Sequence, residues 1–311
     1  MTEFDRPALV QFAQDSISRG SKSFRFASRL FDRTTRERVW LLYAWCRKCD
    51  DMADGQDHGG AMAAVTDPQQ SLAAIRTLTA ASLAGTPTGE PAFDCLGVVA
   101  RECGITARMA EDVIEGFALD AADWHPRRES DLYQYCYHVA GAVGVMMAVV
   151  MGVPADDDAT LDRACDLGLA FQLANIARDI AEDDAAGRCY LPDDWLATLD
   201  IGPGEHMKPH NRKKLALMGR WLADEAEQYE ASARVGAAHL PLRARWAVLS
   251  AAGIYGEIAR KVRAADSHAW DQRIFTSRPE KFRWVRKAFV DAVANNPRAM
   301  DRDALWTRTR V

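Results

Sequence analysis

The chain has 311 residues, 48% of them hydrophobic, and its 39 Lys and Arg against 44 Asp and Glu give a net charge of −5. That apolar content can bury a sizeable interior, and the acidic balance excludes a general nucleic-acid footprint. The seven cysteines are scattered and odd in number. The lone Cys46-x-x-Cys49 has no second pair and no neighbouring His, so reduced thiols are predicted rather than a disulfide framework, a zinc site or a redox pair.

The N-terminal Met1-Thr-Glu-Phe-Asp5 lacks the basic and apolar regions of a signal peptide, which predicts a cytoplasmic protein. Helical periodicity dominates from there on and no β-rich block appears. Asp50 and Asp54 close the run Tyr43-Ala-Trp-Cys-Arg-Lys-Cys-Asp-Asp-Met-Ala-Asp54, which opens on apolar Leu41 and Leu42. Short breaks follow at Gly59-Gly60, Gly85 to Pro91, Trp124-His-Pro-Arg, Pro154 to Asp158, Gly187 to Asp194 and Gly202-Pro-Gly204. None is long enough for a linker, and there is no repeat or low-complexity tract. Val139 to Val153 is uncharged but too short for a bilayer span, which needs about 20 apolar residues. It reads as a buried helix that also walls an apolar pocket, with Ala140, Gly141 and Gly144 leaving volume and Met146 and Met147 adapting to an irregular guest. A second acidic pair, Asp179 and Asp183, lies in Gln172-Leu-Ala-Asn-Ile-Ala-Arg-Asp-Ile-Ala-Glu-Asp183. Pro279 to Phe289 mixes basic and aromatic residues. The plain reading is a solvated helix packing through Phe282, Val285 and Phe289, and the sharper one is peripheral contact with an anionic membrane.

The acidic pairs carry the chemistry. A spacing of four residues puts both carboxylates of a pair on one helix face, where like charges repel by about 0.2–0.5 kcal/mol. A single such pair is ordinarily a solvated face. Here both sit in largely apolar helices, so a compensating cation is expected. Mg²⁺ takes oxygen ligands and commonly only one or two carboxylates, leaving water and substrate phosphates to complete its shell. Arg47 and Arg178, each within a turn of a pair, can bind a carboxylate or the oxygens of a diphosphate. Two such helices facing each other would form a cleft for a Mg²⁺-chelated diphosphate. Because the pairs lie about 130 residues apart and need one cavity, a single all-α domain spanning residues 1–311 is predicted. Asp51, Glu182 and Asp184 fall off the four-residue pairs and read as supporting or solvated acids.

Taken in order, Ser21-Lys-Ser-Phe24, Tyr43-Ala-Trp-Cys-Arg with Asp50 and Asp54, Tyr135 to Gly144, Gln172-x-x-Asn175-x-x-Arg178-Asp179-x-x-x-Asp183 and Gly187-Arg-Cys-Tyr-Leu-Pro192 closely resemble the squalene/phytoene synthase family. The likeness runs from Ser21 to beyond Arg273. It implies a helical bundle of the isoprenoid synthase type with a central apolar cavity. It also implies head-to-head condensation of two geranylgeranyl diphosphates to phytoene through a cyclopropylcarbinyl diphosphate, the first step of carotenoid biosynthesis. Asp50, Asp54, Asp179 and Asp183 would be the metal ligands, with Asn175 in the same set, for Mg²⁺ or alternatively Mn²⁺. Arg47, Gln172, Asn175 and Arg178 would contact diphosphate or metal-bound water. Ser21 and Ser23 would donate to a diphosphate oxygen, or else form a helix cap or turn. Tyr135 would lie at the mouth near the diphosphate, and Phe24 would shield the carbocation with its ring face. Tyr255 and Arg273 match more loosely, against ordinary packing and a surface salt bridge.

The alternatives within the family form squalene or dehydrosqualene from farnesyl diphosphate. Squalene would require NADPH, and no G-x-G-x-x-G follows a predicted strand; none is expected to be used. A non-catalytic binding or assembly relative would be expected to erode the acidic pairs, and both are whole. The partners implied are thus a polyisoprenyl diphosphate and, peripherally, the inner face of a membrane.

Overall fold

The computed structural model describes residues 4–20, 27–54, 67–122 and 124–310, and among them there is no strand, as an all-α chain requires. The helices are α1 (Arg6–Gly20), α2 (Arg33–Asp54), α3 (Pro68–Leu83), α4 (Pro91–Cys103), α5 (Ala107–Ala121), α6 (Glu129–Cys136), α7 (Ala142–Val150), α8 (Asp158–Ala185), α9 (Asp193–Thr198), α10 (Arg212–Ala237), α11 (Leu242–Ala265) and α12 (Arg278–Ala294). Contacts divide the chain into two compact units, residues 1–122 with 145–157, and residues 123–144 with 158–311. All seven cysteines are free, and burial holds the Cys46 and Cys49 thiols in their protonated, unreactive form. No helix among the described residues is long and apolar enough to cross a membrane.

In the first unit α2 packs on α1 and α4, and α3 packs on α4 and α5. Val39, Leu41, Leu42, Ala44, Trp45 and Cys49 form the buried face of α2. The Trp45 indole donates to Thr79 Oγ1 of α3 at 3.2 Å, which satisfies its one polar atom and fixes the roll of the helix. Local signals start and stop the supporting helices. Asp67 caps α3 by accepting from the Gln70 amide at 3.0 Å, with Pro68 at the first helical position. Gly104 ends α4 with a left-handed φ of 79°. Arg6 joins Glu102 and Glu37 at 2.5 and 2.8 Å, and Arg38 joins Glu102 at 2.8 Å, so ion pairs tie α1, α2 and α4 together.

The second unit is built around α8, which lies along α10, with α11 on α10 and α12 on α11. α8 and α10 run antiparallel. Arg163 donates to Ser232 Oγ at 3.0 Å, while Trp270 reaches the Ala177 carbonyl of α8 and lies against Gly219 of α10. Residues Tyr137–Gly141 form a π-turn leading into α7. A Cβ on Gly144 would lie 2.5 Å from the Ala164 carbonyl oxygen, and one on Gly168 would lie 2.4 Å from that of Ala140. A Cβ on Gly141 would meet Cys165 Sγ at 2.8 Å. This corrects the expectation that Gly141 and Gly144 leave volume for a guest. Their small size is used up by the close crossing with α8.

The N-terminal half of α8 carries a further acidic series, Asp158, Asp162 and Asp166, that the sequence reading did not single out. Asp162 and Asp166 are buried, and the C-terminal segment supplies their counter-charges. Arg302 meets both Asp166 oxygens at 2.7 Å, and Ser232 Oγ donates to the same carboxylate at 2.5 Å. Arg308 pairs with Asp162 at 2.9 Å and with Asp158 at 2.5 Å, and Arg310 also reaches Asp162. Breaking a buried ion pair strands the remaining charge at a cost of about 3–5 kcal/mol. Arg302→Ala is therefore expected to lower the urea midpoint by an amount equivalent to about 3 kcal/mol. An unchanged midpoint would show that the strap contributes nothing.

Candidate active site

In the first unit the buried face of α2 turns Arg47, Asp50 and Asp51 to its half-buried side. Arg47 sits between the two acids, 3.5 Å from Asp50 Oδ2 and 3.7 Å from Asp51 Oδ1. The Asp50 side chain is 42% exposed and that of Asp51 only 10%. Asp51 is thus an enclosed counter-charge for Arg47 and not a solvated acid, while Asp50 keeps an open side. Asp54 ends the helix. Its side chain lies outside the described residues, as do Ser21, Ser23 and Phe24.

In the second unit, the C-terminal half of α8 buries Leu169, Leu173, Ala174, Ile176, Ala177 and Ile180. The complementary stripe, Gln172, Asn175, Asp179 and Asp183, follows the helical repeat and stays half-buried. Arg178 grips Asp179 bidentately, donating from Nε to Oδ1 at 2.7 Å and from Nη2 to Oδ2. Arg273 adds a second contact to Asp179 Oδ1 at 3.0 Å and one to Glu182 Oε1 at 3.1 Å. Asp183 has no such clamp. Burial, reinforced by the negative charge of Asp179, pushes its carboxyl up to about 6, with Arg188 pulling the other way. The unit therefore presents one carboxylate neutralised by two arginines and, four residues on, one that holds its proton unusually well.

The loosely matched residues also come to this stripe. Tyr255 of α11 stacks on Phe171 of α8 with centroids 4.3 Å apart, and burial raises its phenol while Arg178 opposes that shift. Trp270 donates to the Ala177 carbonyl at 3.0 Å and so fixes the segment that delivers Arg273. Tyr135 is placed differently from a residue on an open mouth. It is buried, stacked between Trp124 at 5.2 Å and Tyr190 at 4.9 Å, and so joins the Tyr135–Gly144 and Gly187–Pro192 motifs.

Two contacts were missed. Gly187, at a φ of 75°, turns the chain so that the Arg188 amide donates to the Asp183 carbonyl at 2.8 Å, which keeps the Arg188 charge near Asp183. The motif was visible, but the turn that folds it back was not. Buried His206 lies 3.3 Å from Asp184, from a loop whose sequence carries no signal. Among the described residues no three His, Cys, Asp or Glu side chains converge into a closed metal cage, which Mg²⁺ does not need. A cavity of about 720 Å³ in the second unit is lined by Glu230, Arg234, Arg245, Arg260 and Trp284 among others. It contains none of the predicted site residues. Its Glu230 and Arg234 flank Ser232, which bonds to Asp166, a residue about 20 Å along α8 from Asp179.

An all-α chain with aspartates paired on its helices, one member of the second pair gripped by two arginines, has the features of enzymes that handle prenyl diphosphates. The squalene/phytoene synthase family pattern matches residues 17–280, and the chain belongs to that family. It is 46% identical over 307 residues to a phytoene synthase of Pseudescherichia vulneris, covering 97% of this chain and 99% of that one. It is likewise 46% identical over 297 residues to a 15-cis-phytoene synthase of Pantoea ananas, covering 95% and 96%. Among solved structures, a dehydrosqualene synthase in complex with ligand superposes with a TM-score of 0.81 at 26% identity, over 93% of this chain and 98% of that one. A squalene synthase from Alicyclobacillus acidocaldarius shares the fold, with a TM-score of 0.72 at 22% identity over 84% and 95%.

A carboxyl-carbon NMR titration of metal-free protein should find the Asp183 midpoint near 6. Asp179→Asn should lower that midpoint by removing the neighbouring charge, while burial keeps it above the ordinary value near 3.9. An ordinary midpoint in the unaltered protein would refute this electrostatic account.

Proposed function

We propose that this chain is a 15-cis-phytoene synthase-like prenyltransferase that joins two geranylgeranyl diphosphates head to head and releases diphosphate, opening carotenoid biosynthesis. The observation that carries the reading is the 46% identity, over nearly the whole of both chains, to relatives named phytoene synthase. On this reading residues 1–311 work as a single domain.

The donor sets suit magnesium ions, or manganese in their place, with one or two carboxylates to each. Asp50 and Asp54 would serve as ligands from α2, and Asn175, Asp179 and Asp183 from α8. When bound, the metal neutralises charge on the departing diphosphate. The protein's own residues do the rest. Arg178 and Arg273, both in contact with Asp179, bind diphosphate oxygens, for which guanidinium geometry is suited. Arg47 does the same from α2. Gln172 and Asn175 orient the head group, with Ser21 and Ser23 as further donors. The ring faces of Phe24 and of the stacked Phe171–Tyr255 pair favour the allylic cation. Tyr135, locked in its aromatic stack, holds the wall behind the site. Apolar walls exclude the water that would quench the cation. The second substrate's double bond attacks the cation and a first proton is lost as the cyclopropane closes, giving the cyclopropylcarbinyl diphosphate. Ionisation, rearrangement and loss of a proton then complete a C40 product, with no hydride taken from NADPH. The protein works in the cytoplasm, in peripheral contact with the inner membrane face. A farnesyl-using dehydrosqualene synthase is the second reading, favoured by the 26% identical neighbour of that activity.

With Mg²⁺ and geranylgeranyl diphosphate, the purified protein should give a C40 triene-cored hydrocarbon whether or not NADPH is added. A C30 product formed only from farnesyl diphosphate would move the specificity to the second reading. Asp50→Asn and Asp183→Asn should each reduce turnover at least about a hundredfold with the helical circular dichroism unchanged. Near-normal turnover of both at limiting Mg²⁺ would remove the metal assignment. Protons compete with metal for a carboxylate whose pKa is raised to about 6. The Mg²⁺ concentration giving half-maximal turnover should therefore climb as pH falls through that value, and a flat profile would contradict the role of Asp183.

A further inference from the structure

Among the described residues, five of the six large hydrophobics left exposed fall between residues 275 and 293: Phe275, Phe282, Phe289, Val290 and Val293, the sixth being Leu242. Single exposed apolar residues are unremarkable, but a concentration of them marks an interaction surface. Four belong to α12. Phe282, Phe289, Val290 and Val293 sit at i, i+7, i+8 and i+11, so they form one outward stripe.

The helix is held firmly by its other side. Ala288 and Ala292 are buried, and Trp246 of α11 donates to the Val285 carbonyl at 2.9 Å. The Trp284 indole donates to Glu257 at 3.0 Å and lies 4.9 Å from the Arg260 guanidinium. A Cβ on Gly253 would fall 2.3 Å from the same indole, so α11 and α12 touch too closely for α12 to roll. At its start, Ser277 and Glu280 form a capping box, and Lys261 pairs with Glu280 at 2.6 Å. The apolar stripe is therefore presented at a fixed place and does not belong to a fraying end.

Charge says what the stripe meets. The helix carries Arg278, Lys281, Arg283, Arg286 and Lys287 against Glu280 and Asp291, a local +3 in a chain of net −5. A second copy pairing through the same patch would bring two such basic faces together, because a twofold interface sets a surface against itself. An anionic bilayer offers the complementary sign and an apolar interior. We propose that α12 is an interfacial helix that seats this protein on an anionic lipid surface. Phe282, Phe289, Val290 and Val293 enter the acyl boundary, and Arg278, Arg283, Arg286 and Lys287 meet lipid phosphates. This deepens the proposed function, since a C40 hydrocarbon leaving the enzyme needs an apolar sink, but it is tested by binding and not by turnover.

The full chain is floated with vesicles of phosphatidylcholine containing phosphatidylglycerol, and with phosphatidylcholine alone, at low and high salt. The unaltered protein should float with the anionic vesicles, less so as salt screens the basic face. The exposed-site variant Phe282→Ser/Val290→Ser/Val293→Ser should lower the bound fraction roughly tenfold or more, with its melting temperature kept. Its turnover of detergent-dispersed substrate should equal that of the unaltered enzyme. If the unaltered protein also fails to turn over, the proposed activity falls while the flotation result stands. Absence of flotation, or equal flotation by the variant, overturns the proposal. So does a dimer, measured by light scattering, that does not float and is lost in the variant, because the stripe then covers a second copy.

Discussion

A carboxylate on a helix packed among apolar side chains must be compensated, and α8 depends on this requirement along its whole length. Its first half solves the problem permanently, with Arg302, Arg308 and Arg310 held against Asp158, Asp162 and Asp166. Its second half solves it provisionally. Asp179 borrows Arg178 and Arg273, which approach from the half-buried side of the helix, and the carboxyl of Asp183 is raised above its ordinary range by burial and by the charge of Asp179. Enclosed neutralisation gives structure, whereas the partly exposed Asp179 contacts are those that, on the proposed function, a cation and a diphosphate would take over.

The same logic orders the second unit. α10 and α11 supply the apolar bed that desolvates α8, and they also carry Ser232 to Asp166 and Tyr255 to the Arg178 side of the stripe. Gly144 and Gly168 permit the close crossing that buries Asp162 and Asp166 deeply enough to need full guanidinium partners. In the first unit, Arg47 between Asp50 and Asp51 repeats the motif on a smaller scale, with one acid enclosed and the other open.

The exposed stripe on α12 is the converse case. Apolar side chains left in water across a rigid helix face are as much in need of compensation as buried charge. The basic residues around them narrow what can supply it.

The sequence alone determined the helical class, the two aspartate pairs and the polar stripe Gln172–Asn175–Asp179–Asp183, because helical periodicity is local and a four-residue spacing has one meaning on a helix. Its ordered motifs also determined the family. Tertiary structure decided which acids are already spoken for. Asp162 and Asp166 look no different in sequence from Asp179 and Asp183. Arginines from some 140 residues away enclose the first pair, whereas the second stays half-buried with Arg178 and Arg273 on Asp179. It also decided that Gly141 and Gly144 serve helix crossing and not a guest, that Tyr135 is enclosed by Trp124 and Tyr190, and that Arg188 and His206 stand beside the acidic motif. Periodicity states which side of a helix is apolar. What packs against that side, and which counter-charge reaches the polar one, depends on contacts between residues far apart in the chain, and these exist only once it has folded.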